Sequence, residues 1–336
     1  MLLRQATAAS TCDCATDPIA CLKYLFVDVT QKTRLLAGQC PVRRAVFLKQ
    51  HGCAYGEFVV QPDLPEDLRV GVFAGDRYPM WVRSSSDTVP GNPDTGTTLG
   101  MGVKLFDVPG EKLLEPDALT QDFVFQNFDV FFVPDAHAMC EFTYAGVQEH
   151  DYPSYLKAHP KTAQILNDMS QKVGSVTSID YWSVLPSKFG SDRFVKYKLE
   201  PVLDGPPPAP PASPSQDYLA DDLKARLLAG PVTFRFLVQF QKDPESMPLD
   251  DATVRWDESA SRPVHVATLE LPQQDVDATG QEQFGENLSF TAWHSLEAHA
   301  PVGSLQDARK VVYEASATLR RNANGIPLVE PRSPRP

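Results

Sequence analysis

Between residues 44 and 133 apolar and polar positions alternate in short runs, the period-two pattern of half-buried strands. Runs at 56–60, 68–73 and 78–83 are separated by Pro, Asp and Gly, which punctuate turns. Residues 102–106 and 128–133 continue the pattern, and all five runs are predicted to be strands. The texture then changes. Helical composition takes over between 150 and 185, where Ile165, Leu166 and Met169 mark an apolar side within 160–173. Strand-like runs return at 194–199, 233–240 and 264–269, with a short helix at 217–229 between the first two. A final helix is predicted from about residue 304 to 322, and 326–336 reads as a Pro/Arg tail. No internal repeat is evident.

Two segments resist this pattern. Residues 1–40 lack an amphipathic period and are expected to form an N-terminal arm or irregular cap. Residues 204–214 hold six prolines in eleven positions, which keeps them extended and outside any sheet ladder. The flanking β texture favours a surface loop inside one domain, spanning 41–325, over a linker between two.

Composition narrows the class. With 336 residues, 42% hydrophobic and 22% charged, the chain is ordinary globular protein. Its 30 prolines are roughly twice usual frequency and argue against a helical bundle, because interior Pro removes a donor and clashes with the preceding turn. The net charge of −12 argues against a nucleic-acid or anionic-membrane partner. No apolar run approaches the roughly 18 residues of a membrane span, and the N-terminus lacks a secretory apolar core. Of six cysteines, only Cys12 and Cys14 form a close pair, and no second pair completes a zinc pattern. Reduced thiols and a cytoplasmic location are therefore expected.

The candidate chemistry lies on the final helix. Arg309 and Tyr313 are four apart and share one face. A guanidinium beside a phenol favours the phenolate, a hard anionic ligand suited to ferric iron. Arg320 follows Arg309 by eleven residues.

That spacing resembles the proximal haem helix of haem catalases, and further segments follow in the same order. Arg44-Ala45-Val46-Phe47-Leu48-Lys49 is similar to the family's Arg-x-x-His-x-Lys distal segment. Val82-Arg83-Ser84-Ser85, with Asp87-Thr88 after it, is similar to the Val-Arg-Phe-Ser strand. Residues 100–106 resemble the Gly-x-Ala-Val-Lys-Phe run, and 124–135 the distal Asn segment that ends Phe-Phe-x-x-Asp. Tyr181-Trp182-Ser183 and Val195-Lys196-Tyr197 also resemble their counterparts. The resemblance implies an α+β fold: a catalase-like antiparallel β-barrel with surrounding helices and a C-terminal proximal haem helix. It implies haem b with ferric iron as cofactor. Tyr313 would be the metal ligand, Arg309 would hold it as phenolate, and Arg44, Arg83 and Arg320 would bind the propionates.

The pattern breaks on the distal side. Phe47 stands where the family's distal His belongs, and phenylalanine moves no proton. In one register, set by Arg44 and Lys49, that base is lost; in another, a small shift brings His51 to the cofactor. Agreement at both ends of the motif favours the first. Gln126 takes the usual distal Asn position with Asn127 beside it, and Met139 takes the place of a Phe that would stack on the cofactor. These changes make the pocket more apolar and larger. The termini resemble the short branch of the superfamily, which includes allene oxide synthases. The expected function is conversion of an organic, fatty-acid-type hydroperoxide or related apolar metabolite by a monomer or homodimer. Alternatives are a true catalase or peroxidase using His51, a haem- or lipid-binding protein without turnover, and a biosynthetic oxidase or dehydratase. His137, His150, His159, His265, His294 and His299 show no functional pattern.

Overall fold

The structure is a computed structural model that describes residues 12–335. The N-terminal stretch expected to lack a secretory signal, and the start of the expected arm, lie outside the described residues. Nine strands form one antiparallel sheet: β1 (Lys49–Val60), β2 (Arg77–Ser86), β3 (Leu99–Leu105), β4 (Gln121–Gln126), β5 (Tyr181–Trp182), β6 (Ser187–Phe189), β7 (Arg193–Pro201), β8 (Val232–Phe240) and β9 (Val264–Leu271). Their order is β5-β4-β3-β2-β1-β9-β8-β7-β6, and pairing of β5 with β7 closes an eight-stranded barrel, leaving β6 as an outer strand on β7. The architecture is the expected catalase-like barrel with surrounding helices.

Alternation sets the barrel's inside and outside. On β1, Phe58 and Val60 are buried while Tyr55 and Glu57 face out. Phe58, Phe123 and Phe236 meet inside, with centroids 5.2 Å apart for Phe58–Phe236 and 4.9 Å for Phe123–Phe236. An interior filled by rings is a packed core and leaves no chamber for a ligand. His299 belongs to this core: its Nε2 accepts the Val72 N–H at 3.2 Å, its Nδ1 meets the Tyr197 hydroxyl at 3.1 Å, and burial lowers its pKa to about 4.

Helices wrap one flank. α1 (Pro18–Lys23) runs through an eight-residue π-helical stretch (Tyr24–Gln31) into α2 (Lys32–Leu36). Asp17 caps α1 by accepting the Ala20 N–H at 2.9 Å, with Pro18 in the first turn, where its missing donor costs nothing. α3 (Ala136–Val147), α4 (Tyr152–Ala158) and α5 (Pro160–Met169) follow β4; α6 (Tyr218–Ala229) and α7 (Gln281–Asn287) flank β8 and β9. α8 (Ser304–Asn324) buries a stripe at Leu305, Ala308, Val312, Ser316 and Arg320, the i, i+3/i+4 spacing of one helical face. Leu22 and Leu25 pack with Cys140 of α3 and with Ala308 and Val312 of α8. No described helix is long and apolar enough to cross a membrane.

Four expectations are corrected. Residues 68–73 form 3-10 turns (Glu66–Leu68 and Gly71–Ala74), not a strand. Gly71 adopts φ +56°, and a Cβ there would lie 2.3 Å from His299, so the chain bends to pass that ring. The strand predicted at 128–133 is instead 121–126; Phe131 and Phe132 lie in an irregular, bent stretch, where their rings pack together at 4.5 Å. Residues 18–36 are helical where an irregular cap was expected. Finally, the structure pairs Cys12 with Cys21 and Cys14 with Cys140, where reduced thiols were expected; Cys40 and Cys53 stay free.

The Pro-rich 204–214 stretch has no regular structure and lies largely exposed. Beyond α8 the chain returns to the barrel, where Glu330 enters a buried ionic cluster. Lys104 pairs with Asp122 at 2.6 Å and with Glu330, Arg321 reaches Glu330 at 3.1 Å, and His294 bonds Asp122 at 2.8 Å.

Candidate active site

A cavity of about 600 Å³ lies between one flank of the barrel, α3, the N-terminal helices and α8. That volume suits a sizeable organic ligand. Arg83, Ser85, Gly100 and Gln126 line it from β2, β3 and β4, and the 44–48 segment closes it before β1.

One end is cationic. Arg44, Arg83 and Arg320 converge on Glu286 at the end of α7, although Arg44 and Glu286 are separated by 242 positions. Arg83 reaches Glu286 Oε1 at 2.7 Å and Arg44 reaches Oε2 at 3.2 Å. Arg320 donates to the Glu286 and Leu288 carbonyls, while its buried Nε has no partner. Burial, with Arg83 and Arg320 close by, pushes the Arg44 pKa well down, and burial lowers Arg320 to about 10. Burial alone would raise the Glu286 pKa; Arg83 and Arg44 outweigh it and bring the carboxyl to about 2. Three guanidinium groups against one carboxylate leave an excess of positive charge in a dry setting.

The α8 wall carries Arg309 and Tyr313, both lining the cavity. Arg309 sets its guanidinium over the Phe131 ring, 5.9 Å from the centroid. The bond from Arg309 to the phenol anticipated from sequence is absent among the described residues.

Opposite, Phe47 occupies the left-handed region at φ +52°, uncommon for a bulky side chain. Its N–H donates to Asp87 Oδ1 at 3.2 Å, and its carbonyl accepts from Arg83 at 3.2 Å, so both peptide groups are held. Met139 of α3 and Gln126 also line the cavity; Gln126 spends its amide N–H on the Val130 carbonyl at 3.0 Å.

Two expected residues are elsewhere. Asn127 lies buried outside the lining: its Oδ1 accepts the Leu99 N–H at 2.9 Å and its Nδ2 donates to the Met169 carbonyl at 3.2 Å. Both ends of that amide are committed to the fold. His51 sits on β1, away from the cavity, with Nδ1 3.7 Å from Asp94 Oδ1 and no hydrogen bond at either ring nitrogen. Burial, then Lys49 and Arg83, lower its pKa to about 3, so the ring is neutral. The shifted register that would bring His51 to the site therefore has no support in the geometry.

Sequence reasoning missed Glu286, Asp87 and Arg34. Asp87 was in view only as a neighbour of the Val-Arg-Ser-Ser match. Glu286 carried no signal, since its partners come from three distant segments.

No family model matches the sequence, and no curated protein matches it. Among solved structures, a fungal catalase aligns with a TM-score of 0.68 at 18% identity, covering 88% of this chain and 63% of its own. A bacterial catalase aligns with a TM-score of 0.67 at 16% identity, covering 86% of this chain and 59% of its own. The chain thus spans under two-thirds of the length of the catalases it resembles. At such identities the likeness speaks for architecture, and this chain has the catalase-like fold.

Proposed function

We propose that the chain is a haem-dependent, catalase-related enzyme that converts an organic, fatty-acid-type hydroperoxide or a related apolar metabolite rather than disproportionating hydrogen peroxide. One observation carries the reading: a single cavity joins a tyrosine wall to a buried cluster of three arginines. These donors fit haem b. Its dianionic edge suits Arg44, Arg83 and Arg320, and the unpartnered Arg320 Nε offers a donor with nothing else to bind. Tyr313 would ligate the ferric iron, and Met139 would face the ring. Arg309 lines the same wall, its guanidinium over the Phe131 ring.

Bound haem supplies the redox chemistry that opens an O–O bond. The chain supplies the setting. Phe132, Met139, Phe142, Leu166 and Met169 line the cavity with apolar surface that shelters an alkyl chain and excludes water. Phe47 presents no proton carrier where hydrogen peroxide chemistry needs one. The acidic surface leaves a small molecule, not nucleic acid, as partner, acted on by a monomer or homodimer. The cysteine pairs suit an oxidising compartment better than the cytoplasm inferred from thiol count.

The test is an absorption spectrum after haem supplementation. A Soret band is expected, altered in Tyr313→Phe, with faster turnover of linoleic acid hydroperoxide than of hydrogen peroxide. A colourless protein, or a Tyr313→Phe spectrum identical to wild type, overturns the proposal.

A further inference from the structure

Among the described residues, Asp87 is the only carboxyl lining the cavity, and no imidazole, thiol or amine joins it there. It directly follows β2, where its own N–H is anchored to the Thr98 carbonyl at 2.9 Å. Its Oδ1 accepts the Phe47 N–H at 3.2 Å, which ties it to the residue that stands in place of a distal base. The second carboxylate oxygen has no hydrogen-bond donor among the described residues.

The charged and titratable groups facing Asp87 are few. Arg34 of α2 lies near enough to act on its charge, while its Nη1 donates to the Arg44 and Ala45 carbonyls at 3.3 and 3.1 Å. Tyr152 of α4 also lines the cavity and feels the Asp87 charge. The Asp87 side chain is exposed, so small molecules reach it from the cavity. Desolvation by the cavity wall raises its pKa above the ordinary aspartate value, while the Phe47 N–H and Arg34 pull the other way. A carboxyl moved toward neutrality exchanges protons more evenly with a weakly acidic substrate.

We propose that Asp87 is the proton-transferring residue of this cavity, taking the hydroperoxide proton in the role that Phe47 cannot fill. In this step the O–H bond of ROOH breaks and the proton passes to the carboxylate, giving ROO⁻ and a neutral Asp87 carboxyl. Only a proton moves; no electron changes hands, and the carboxyl holds the proton for return to a substrate oxygen that gains charge. The assignment rests on the proposed hydroperoxide chemistry but concerns a residue that the haem reading does not need.

Two measurements test it. In the haem-free protein, carboxyl carbon NMR with ¹³C-labelled aspartate should show one signal, missing in Asp87→Asn, that titrates above the ordinary value of about 3.9. A midpoint at or below that value overturns the proposal. In the haem-loaded protein, with cumene hydroperoxide as probe, kcat/KM should fall along an acid limb as the carboxyl becomes protonated. Asp87→Asn should abolish that limb and lower kcat by about 10²–10⁴-fold. Asp87→Glu should keep the limb, and both variants should keep the wild-type Soret band and melting temperature. An Asp87→Asn enzyme with an intact limb and a rate within about twofold of wild type overturns the assignment while leaving the haem reading in place. A wild-type protein without a Soret band overturns the haem reading instead, and the NMR titration still decides the carboxyl.

Discussion

The Phe47 ring lies over the bare Cα of Gly100, so close that a Cβ added there would stand 2.6 Å from a ring carbon. Gly100→Ala must therefore push the ring aside or shift the strand. The expected cost is about 1–3 kcal/mol, typical of overpacking, read as a lower denaturant midpoint at unchanged slope. Ligand affinity in the cavity should change with it, because Phe47 forms part of the wall. Wild-type stability in this variant means that the ring is not seated on Gly100.

Phe47→His should gain a function. Histidine tolerates the left-handed backbone found here better than phenylalanine does. It also brings an imidazole into the cavity. Oxygen evolution from hydrogen peroxide should rise by about 10²-fold or more in the haem-loaded variant, the lower end of general acid–base catalysis. No rise would count against the position as the lost distal base.

Removing the Glu286 charge leaves Arg44, Arg83 and Arg320 facing one another. Glu286→Gln should cost about 3–5 kcal/mol, as breaking a buried ion cluster does. Added sulfate should recover part of that loss by supplying counter-charge. The native carboxyl titrates near 2, below its unfolded value, so its contribution is present above about pH 4.5 and disappears as pH falls toward 2. Melting curves from pH 6 to pH 2 should therefore converge for wild type and variant.

His294 should act at the other end of the scale. Burial and Lys104 disfavour its charge, but Asp122 and Glu115 prevail and raise its pKa to about 9. A raised folded pKa stabilises fully below the unfolded value near 6.5 and loses that effect as pH climbs through 9. Wild-type stability should thus decline between about pH 6.5 and 9, and His294→Gln should flatten that decline.

The Cys14–Cys140 pair fastens the N-terminal helices to α3 across a separation of 126 residues. Cys14→Ser should cost about 2–5 kcal/mol. Hydrogen exchange should speed up around Leu22 and Phe26, which line the cavity from the fastened segment. Equal exchange in variant and wild type would show that packing alone holds the helices.

Much of the barrel was legible because strands such as β1 alternate buried and exposed positions, as Tyr55 to Phe58 do, and because β2 reads as a near-continuous buried run bounded by turn residues. The misplaced run at 128–133 failed for a physical reason: Phe131 and Phe132 pack half-buried rings together from an irregular backbone, with composition no different from a strand. In the site, Arg309, Tyr313 and Arg320 stood out through their spacing on one helix, and Arg44 and Arg83 only through the family resemblance; all five line the cavity. Asn127, and His51 in the register that the sequence did not favour, stand outside the cavity; sequence shows an amide or an imidazole but not its hydrogen-bond partners. Glu286 could not be found, since its importance arises only when the chain brings distant arginines together.

The link from Cys14 to Cys140 turns four strands and their connections into a covalent ring. A protease that nicks any exposed turn between those residues leaves one molecule, not two fragments. The broken ends stay tethered beside the intact barrel, within reach of re-pairing. A single cleavage would therefore pass unnoticed by size under non-reducing conditions and emerge only once a reductant was added.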